Sequence, residues 1–500
     1  MSSSPVYAAL DLGSNSFHLL VATFNAEKLV VVDDIKVAVQ LAAGLQADKT
    51  LSDVAIARAL EALALFADRL GSVDRNYLRV IGTSTLRQAK NTDSFLEKAE
   101  QILKAPIDII SGTEEARLTF LGVCKDYSPT TKRLIIDIGG GSTECVVGQN
   151  EPEFLKSLHI GCIQFAQQYF PDGKITTKNY QQALLAARTE VQAIVDDMRK
   201  SQWQEAVGSS GTVRCIQQIL LNDFQQSTIN LSGLQRLAAD LIKVGHCNKL
   251  HYASLSSNRR FILPGGLAVL HGLFIELGIG EMHTSDQAIR EGVIYEMDGR
   301  TSHLGRRETT IQQLQLQYHV DVLQAHRVAS TARALLEQMD KPLAEDSAMT
   351  NLLYWAAQLH EIGLPINHSG YQKHGAYIIE NSSMPGFSQQ MQQSIAYLIG
   401  SHRRKIRQFE PHYRVTQNNS LLIALRLAFL FCRRRGKPVL PKRLQLHWSD
   451  STLTMTISHS WLNKYPLVLA DLRQEAKHLQ AIGVLLLLNP KVLDAKIKGQ

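Results

Sequence analysis

The sequence predicts an α/β region of two lobes, followed by an all-α domain and a small α+β domain. Three observations support this fold class. Segments with strand and helix periodicity alternate over the first 300 of the 500 residues, a strand–turn–strand pattern recurs within that region, and helical periodicity dominates from about 305 to 440. The predicted domains are 1–125 and 126–304 for the two lobes, 305–440 for the helical domain, and 441–500 for the C-terminal domain.

The individual elements follow from local patterns. Ser52 precedes an amphipathic segment whose apolar face carries Ile56, Leu60 and Leu63, so we expect Ser52 to cap a helix that extends to about residue 70. The other predicted elements are strands at 6–10, 17–24, 28–32, 78–81 and 107–110, a hairpin at 444–458 and a helix near 472–479.

The composition is that of a folded globular protein, with 45% hydrophobic and 20% charged residues. No apolar run approaches the roughly 20 residues of a membrane span, and residues 1–10 have neither the basic segment nor the cleavage site of a secretion signal. The six cysteines are scattered without a CxxC pair, which favours a reducing compartment and argues against a zinc site. We therefore expect a cytoplasmic protein with at most a peripheral association with the membrane.

The charge is distributed unevenly along the chain. Residues 1–300 carry 29 Lys and Arg against 33 Asp and Glu, whereas residues 301–500 carry 24 against 13. Within 401–443 there are 12 basic residues and one acid, Glu410. A solvated helix face would explain isolated charges, but two basic clusters suggest a track for a polyanion. No series of aromatic residues accompanies the clusters, which argues against nucleic acid. They are Arg403, Arg404, Lys405 and Arg407 at one end and Arg433, Arg434, Arg435 and Lys437 at the other.

A strand–turn–strand motif occurs twice, beginning at Asp11-x-Gly13 and, 126 residues later, at Asp137-x-Gly139. The glycines allow the backbone to approach a phosphate, the amides and hydroxyls of the turn donate to it, and the Asp can hold a metal ion. One copy would be compatible with an ordinary Gly-rich hairpin, but two copies in the same register favour a duplicated phosphate grip. The repeat resembles that of the actin, sugar kinase and heat-shock ATPase superfamily, which implies two ribonuclease H-like lobes that face each other across a cleft.

Three further strand-to-helix junctions carry polar groups. Arg87 follows a predicted strand end, where its guanidinium suits a bidentate contact with phosphate or lies solvated in a turn. Glu114 and Glu115 open a helix, where they serve as N-terminal caps or supply a general base for water. Adjacent helical residues point about 100° apart, so at most one of the two faces the cleft. Ser209 and Gly211 lie in a Gly/Ser turn before a helix, which suits an anion.

Six motifs follow one another along the chain: Asp-Leu-Gly-Ser-Asn-Ser-Phe-His at 11–18, Gly-Thr-Ser-Thr-Leu-Arg at 82–87, Ile-Ser-Gly-Thr-Glu-Glu-Ala-Arg at 110–117, Asp-Ile-Gly-Gly-Gly-Ser-Thr-Glu at 137–144, Gly-Ser-Ser-Gly-Thr at 208–212 and Arg-Glu-Gly-Val at 290–293. Together they resemble the exopolyphosphatase and guanosine pentaphosphate phosphohydrolase family. The resemblance extends over about residues 6–480. It implies hydrolysis of a terminal phosphoryl group with Mg²⁺ as cofactor, and a homodimer.

The resemblance also implies a role for individual residues. Glu115 is the implied general base. Asp11, Asp137 and Glu144 would bind or orient the metal or its waters, and His18 is expected to pack in the core. The phosphates would be held by Ser14, Asn15, Arg87, Gly140, Gly141, Ser142, Ser209 and Gly211, with Arg403, Arg404 and Lys405 binding the distal part of a long chain.

The predicted helical domain resembles the histidine–aspartate (HD) phosphohydrolase domain at His326 and at His360-Glu361. The metal site of that domain needs a His-Asp pair, and Glu361 replaces the Asp, so we expect a degenerate site without metal chemistry. The resemblance implies that the domain extends the phosphate track. We therefore expect the basic segment 401–443 to line a channel that leads to the cleft.

Two substrates and two other classes of protein remain open. We rank processive hydrolysis of inorganic polyphosphate first, because 139–143, 367–370 and 401–405 look more like exopolyphosphatases. Removal of the 5′ γ-phosphate from guanosine pentaphosphate is the alternative, since 39–44 and 432–436 look more like the guanosine enzymes, and both activities can coexist. An ATP-dependent kinase or chaperone is a further class. Glu114 and Glu115 argue against it, because a base that activates water would hydrolyse ATP without phosphoryl transfer in a kinase. The last class is a non-catalytic protein that binds polyanions.

Overall fold

The chain forms two compact units, Met1–Gly305 and Arg306–Gln500. No helix in the described part of the chain is long and apolar enough to span a membrane. The computed structural model describes residues 5–25, 28–125, 127–299, 303–406, 419–436, 440–441, 443–449 and 451–491.

The first unit begins with a five-stranded sheet, in which the strand order is β3-β2-β1-β4-β5. The first three strands are antiparallel, and β4 and β5 continue the sheet in parallel from β1. Ser52 caps the first helix through its hydroxyl, as predicted. The elements are β1 (Tyr7–Leu12), β2 (Ser16–Asn25), β3 (Lys28–Ala38), α1 (Asp53–Arg69), β4 (Leu78–Gly82), α2 (Ser84–Gln88), α3 (Thr92–Leu103), β5 (Ile107–Ile109) and α4 (Gly112–Cys124).

A six-stranded sheet in the order β10-β11-β9-β6-β7-β8 repeats this plan. Its elements are β6 (Arg133–Ile138), β7 (Thr143–Gly148), β8 (Pro152–Leu158), α5 (Cys162–Tyr169), α6 (Thr177–Gln192), α7 (Val195–Lys200), β9 (Glu205–Ser209), α8 (Ser210–Phe224), β10 (Ile229–Asn230), α9 (Leu231–Val244), α10 (Leu263–Leu277), β11 (Glu281–Thr284) and α11 (Ile289–Met297). β6 to β8 are antiparallel, and β9 and β11 follow in parallel.

The two copies of the sequence repeat occupy equivalent places in these sheets. In the first hairpin Asp11 pairs with His18, and in the second Asp137 pairs with Glu144, so the register is the same. Each hairpin is extended by a third antiparallel strand on one side and by a parallel strand on the other. The predicted two-lobed α/β architecture is therefore confirmed.

Helix α4 lies between the two sheets and packs against both. Leu118 belongs to the same apolar cluster as Ile81 and Ile110 of the first sheet region. Phe120, on another face of the helix, packs in a cluster with Ile135, Val146 and Val207 of the second sheet. Burial on both sides fixes the position and the rotation of α4, because the dense interior tolerates little change in volume.

Helices α4 and α11 cross in close contact. A Cβ atom on Gly122 would lie 2.0 Å from the carbonyl oxygen of Ala288, and one on Gly292 would lie 1.9 Å from that of Leu118, so both positions need glycine. Buried ion pairs join the same region, since Arg117 contacts both Glu114 and Glu296. Helix α11 also packs on the first sheet, where Ile294 joins the cluster of Leu118.

The second unit consists of helices around one apolar core, which also includes residues of a three-stranded sheet such as Leu453 and Met455. The predicted hairpin is confirmed, whereas β14, which pairs in parallel with β13, was not predicted. The elements are α12 (His303–Gln317), α13 (Val322–Met339), α14 (Lys341–Glu345), α15 (Ser347–Gln358), α16 (Tyr371–Asn381), α17 (Gln389–Ser401), α18 (Ser420–Phe431), β12 (Gln445–Ser449), β13 (Thr452–Ser458), α19 (His459–Lys464), α20 (Pro466–Gln480) and β14 (Leu485–Lys491).

We expect Gly122→Ala to destabilise the first unit, because the added methyl group meets backbone that cannot move aside. Overpacking of this kind costs about 1–3 kcal/mol. Gly280→Ala is the control, since nothing lies within 4 Å of the position of its Cβ atom. The measurement is urea unfolding of the full chain. Equal midpoints for the two variants would show that the helix crossing is looser than the structure indicates.

Candidate active site

A cleft of about 150 Å³ lies where the residues that follow β1, β4, β6 and β9 converge. Strand ends at one edge of an α/β sheet are the usual place for a ligand. The predicted site residues that line the cleft are Asp11, Ser14, Asn15, Glu115, Asp137, Gly140, Ser142 and Gly211. The predicted residues Arg87, Gly141, Glu144 and Ser209 lie behind this lining.

The two repeated turns approach each other closely, and both line the cleft. A Cβ atom on Gly140 would lie 2.7 Å from that of Ser14, and one on Gly141 would lie 2.7 Å from Oγ of Ser84. Oγ1 of Thr85 donates a hydrogen bond of 2.8 Å to Oγ of Ser14. Glycine at 140 is therefore required for the contact between the two turns, and glycine at 141 for the contact with α2.

Only one of the two adjacent glutamates reaches the cleft. Glu115, in the first turn of α4, lines it and accepts a hydrogen bond of 2.8 Å from Nη1 of Arg87. The same nitrogen of Arg87 donates to the carbonyl of Ile110 at 2.9 Å. Glu114 is fully buried, and its two carboxylate oxygens each accept a 2.8 Å bond from Arg117. The structure thus agrees with the expectation that at most one of the two adjacent glutamates faces the cleft. Arg87 orients the Glu115 carboxylate.

Buried carboxylates lie close together in the cleft. Burial, together with the charge of the neighbouring Glu115, raises the pKa of Asp11 and that of Asp137 to about 7. A hydrogen bond from Ser209 to Asp137 acts in the opposite direction. Burial and the charges of Glu115 and Asp137 also raise the pKa of Glu144, whose Oε1 accepts a 2.8 Å bond from Ser157. The carboxylates are therefore close enough to repel one another, and burial adds to the cost of their charges.

This cluster of carboxylates has the ligand chemistry of a site for a hard cation such as Mg²⁺. Oδ1 of Asp11 is buried and has no hydrogen-bond partner in the described part of the chain. Among the described residues no three His, Cys, Asp or Glu side chains lie close enough to hold a metal ion by themselves. Mg²⁺ usually keeps several waters and is bound by one or two carboxylates together with substrate phosphates. Such an ion fits these residues if water and substrate complete its coordination.

Four cations that line the cleft were not among the site residues predicted from the sequence. They are Lys36 of β3, Arg214 of α8, Arg259 of the segment before α10 and Arg290 of α11. Burial, together with the charges of Arg259 and Arg214, lowers the pKa of Lys36 to about 8. Arg290 opens one of the six sequence motifs, and Arg214 follows another closely. Lys36 and Arg259 carry no local signal.

The expectation that His18 packs in the core is wrong. Its side chain lines the cleft, with Nε2 2.5 Å from Oδ1 of Asp34 and 2.7 Å from Nη1 of Arg290. The reason is the hairpin register, because His18 is paired with Asp11 and paired residues point to the same face of a sheet. Burial and the charge of Arg290 lower the pKa of His18 to about 4.

The predicted phosphate-binding residues Arg403, Arg404 and Lys405 lie in the second unit, and the structure gives each a different surrounding. Arg403 stacks on Tyr371, with its guanidinium carbon 4.6 Å from the ring centroid. The carbonyl of Arg404 accepts a 2.9 Å bond from Arg426, and Lys405 borders a groove beside Tyr377.

Several other arginines of the basic segment are neutralised by acids. Arg426 pairs with Glu475, Arg433 pairs with Asp471, and Arg435 pairs with Asp321 and Glu361. The acidic partners come from outside 401–443, so the charge count exaggerated the free positive charge. Arg407, Arg414, Lys437 and Lys442 lie outside the described residues.

Known proteins resemble this chain over nearly its full length. The Ppx/GppA phosphatase family matches residues 20–301, and Ppx/GppA phosphatase domain III matches residues 306–476. Guanosine-5′-triphosphate,3′-diphosphate pyrophosphatases of Aeromonas hydrophila and Pseudoalteromonas translucida are 37% and 38% identical, over 97% of this chain and 98% of theirs. An exopolyphosphatase structure from Cytophaga hutchinsonii, 21% identical, gives a TM-score of 0.54 over 59% of this chain and 98% of its own. At that identity the similarity shows the fold alone.

We expect Asp137→Asn to stabilise the metal-free protein above neutral pH. A carboxyl whose folded pKa is raised binds protons more tightly in the folded state, so its ionisation lowers stability as the pH rises from about 4 through about 7. One pKa unit corresponds to about 1.4 kcal/mol, so a rise from 3.8 to about 7 corresponds to a gain of up to about 4 kcal/mol.

The measurement is thermal unfolding in EDTA from pH 4 to 8. The gain in stability of Asp137→Asn over the wild type is expected to be near zero at pH 4 and to reach its full size above pH 7. Asp68→Asn, on the exposed face of α1, is the control for loss of one negative charge. A gain that does not depend on pH would contradict the raised pKa of Asp137.

Proposed function

This chain belongs to the Ppx/GppA phosphatase family, and from that premise we propose that it hydrolyses the terminal phosphoryl group of guanosine pentaphosphate and of inorganic polyphosphate in one cleft. The observation that carries the proposal is the position of Glu115. Its carboxylate lines the same cleft as the two repeated turns and accepts a hydrogen bond from Arg87.

In the proposed reaction Glu115 accepts a proton from a water molecule, whose oxygen attacks the terminal phosphorus. The bond from that phosphorus to the bridging oxygen breaks, and the shortened chain leaves with the bridging oxygen. Amides and hydroxyls of the turns at Ser14 and Gly140 donate to the phosphoryl oxygens. Lys36, Arg214 and Arg290, which line the same cleft, offset the negative charge of the substrate.

Mg²⁺ is the cofactor that the family resemblance implies, and Asp11, Asp137 and Glu144 are the residues that would hold it or its waters. When bound, the ion neutralises negative charge on the phosphates. The raised pKa values and the unpartnered oxygen of Asp11 support this part of the proposal, because a cation stabilises carboxylates that are buried and repel one another.

The substrate ranking now rests on two kinds of observation. The full-length relatives named as pyrophosphatases of guanosine-5′-triphosphate,3′-diphosphate favour guanosine pentaphosphate as the first substrate to test. The motifs at 139–143 and 401–405 keep polyphosphate as the second. Extension of the phosphate track by the second unit, a homodimer and a cytoplasmic location remain predictions.

A degenerate HD-type site is part of the proposal for the second unit. Nδ1 of His360 lies 2.7 Å from the carbonyl oxygen of Ala357, and Oε1 of Glu361 accepts a 2.7 Å bond from Arg435. The carboxylate that replaces the expected Asp is thus engaged in an ion pair. This arrangement supports a structural role for His360 and Glu361.

We expect Glu115→Gln to lower kcat by about 10²–10⁴-fold, the usual contribution of a general base, while substrate binding changes little. Glu114→Gln is the matched control. It leaves the cleft lining intact but breaks a buried pair, which costs up to about 3–5 kcal/mol of stability, and less where Glu296 still pairs with Arg117. Phosphate release is measured at a temperature at which both variants are folded. Equal losses of kcat would show that the base is assigned to the wrong residue.

We expect the second unit to make polyphosphate binding depend on salt. Each phosphate contact releases counterions, so affinity for long polyphosphate falls more steeply with salt than affinity for tripolyphosphate or guanosine pentaphosphate. The measurement compares phosphate release from the three substrates with Mg²⁺ at several salt concentrations. Equal slopes would exclude a track along 401–443.

A further inference from the structure

A second cavity adjoins the cleft and has no role in the proposed reaction. This side pocket has a volume of about 220 Å³, compared with about 150 Å³ for the cleft. Its walls share Gly211, Arg214 and Arg259 with the cleft, so the two cavities adjoin at these residues. The walls that belong to the side pocket alone are Cys215, Gln218, Ser254, Ser256 and Asp286.

Arg259 is held at the junction of the two cavities by the backbone. Its Nη1 donates to the carbonyl oxygen of Gly211, and its Nη2 lies 2.1 Å from the position that a Cβ atom on residue 211 would occupy. Glycine at 211 is therefore required for the guanidinium to lie there. Arg214 lies on the same wall, and its Nε donates to the carbonyl oxygen of Ser210 at 3.3 Å.

The side pocket carries an excess of positive charge. Its one acid, Asp286, pairs with Arg214 at 3.0 Å, and the side chain of Asp286 is 93% exposed. An exposed pair of this kind contributes little, because water screens it. The hydroxyls of Ser254 and Ser256 and the amide of Gln218 add neutral hydrogen-bonding groups. The cationic cluster also lowers the pKa of Lys36, after the larger effect of burial, so the four cations are mutually unfavourable without an anion.

We propose that the side pocket binds a second phosphate group of the substrate, remote from the one that is hydrolysed, through Arg214 and Arg259. This inference rests on the proposed function and deepens it. The second group belongs either to the 3′-diphosphate of guanosine pentaphosphate or to the continuing chain of polyphosphate. Both offer the same chemistry, and a substrate that fills both cavities engages the shared guanidiniums from two sides.

Two substitutions on walls that belong only to the side pocket test the proposal with opposite signs. Gln218→Glu adds a negative charge at an exposed position of α8, and we expect it to raise the KM by about fivefold through repulsion of the second phosphate group. Asp286→Asn removes the acid that competes for Arg214, and we expect it to lower the KM by about two- to fivefold. Gln182→Glu, an exposed position on α6, is the control for the added charge.

The KM is measured for guanosine pentaphosphate, long polyphosphate and tripolyphosphate at fixed ionic strength with Mg²⁺. An effect on guanosine pentaphosphate alone identifies the 3′-diphosphate as the occupant, and an effect on long polyphosphate alone identifies the chain. The proposal is overturned if Gln218→Glu and Asp286→Asn both leave the KM unchanged for guanosine pentaphosphate and for long polyphosphate. It is also overturned if Gln182→Glu shifts the KM as much as Gln218→Glu does.

A binding measurement separates failure of this inference from failure of the proposed function. Calorimetry with guanosine 3′,5′-bis(diphosphate) and with GDP needs no turnover. If the side pocket binds the 3′-diphosphate, the first ligand binds more tightly than GDP, and Gln218→Glu removes most of the difference. If the two ligands bind equally and Gln218→Glu also leaves the KM for polyphosphate unchanged, the side pocket has no such role. Absence of phosphate release by the wild type would instead contradict the proposed function.

Discussion

The arrangement of the first unit depends on the burial of α4 between two sheets. Leu118 packs toward one sheet and Phe120 toward the other, while Gly122 allows α11 to cross at backbone contact distance. A helix buried on both sides cannot shift without opening a cavity on one side and overpacking the other. The carboxylate at its N-terminal turn is therefore held in place by apolar packing that extends along the whole helix.

The cleft brings buried charges of both signs together. Asp11, Asp137 and Glu115 line it together with cations that include Lys36 and Arg290. Burial makes each set of charges unfavourable, as the raised pKa values of the carboxyls and the lowered pKa of the lysine show. In the proposed reaction a divalent cation would offset the carboxylates and the phosphate oxygens would offset the cations. The cleft thus keeps charges that cost folding stability.

Sequence patterns were sufficient where the chemistry lies within one strand–turn unit. The repeated Asp-x-Gly turns needed only local spacing. The angle between adjacent helical residues predicted that at most one of Glu114 and Glu115 faces the cleft, and the family resemblance implied that this residue is Glu115. Lys36 and Arg259 were missed because β3 and the segment before α10 reach the cleft only through the fold. β14 was missed because its four leucines do not alternate and Pro490 argues against a strand. The charge count at 401–443 overestimated the free positive charge of the segment, because acids such as Glu475 and Asp471 are remote in sequence from the arginines they neutralise.

The ion pairs of Glu114 have a consequence for how this helix can vary. Two neighbouring carboxylates of equal chemistry differ in environment through the rotational phase of α4, and the ion pair of Arg117 with Glu296 of α11 holds that phase. A one-residue shift of the sequence along this helix would turn each side chain by about 100° and bring Glu114 to the place of Glu115. Arg117 lies on the same helix and would turn with Glu114, so its contact with Glu296 would be lost. The short connection between β5 and α4 is consequently intolerant of length changes, and Ile110 within it is itself buried in the apolar cluster of Leu118.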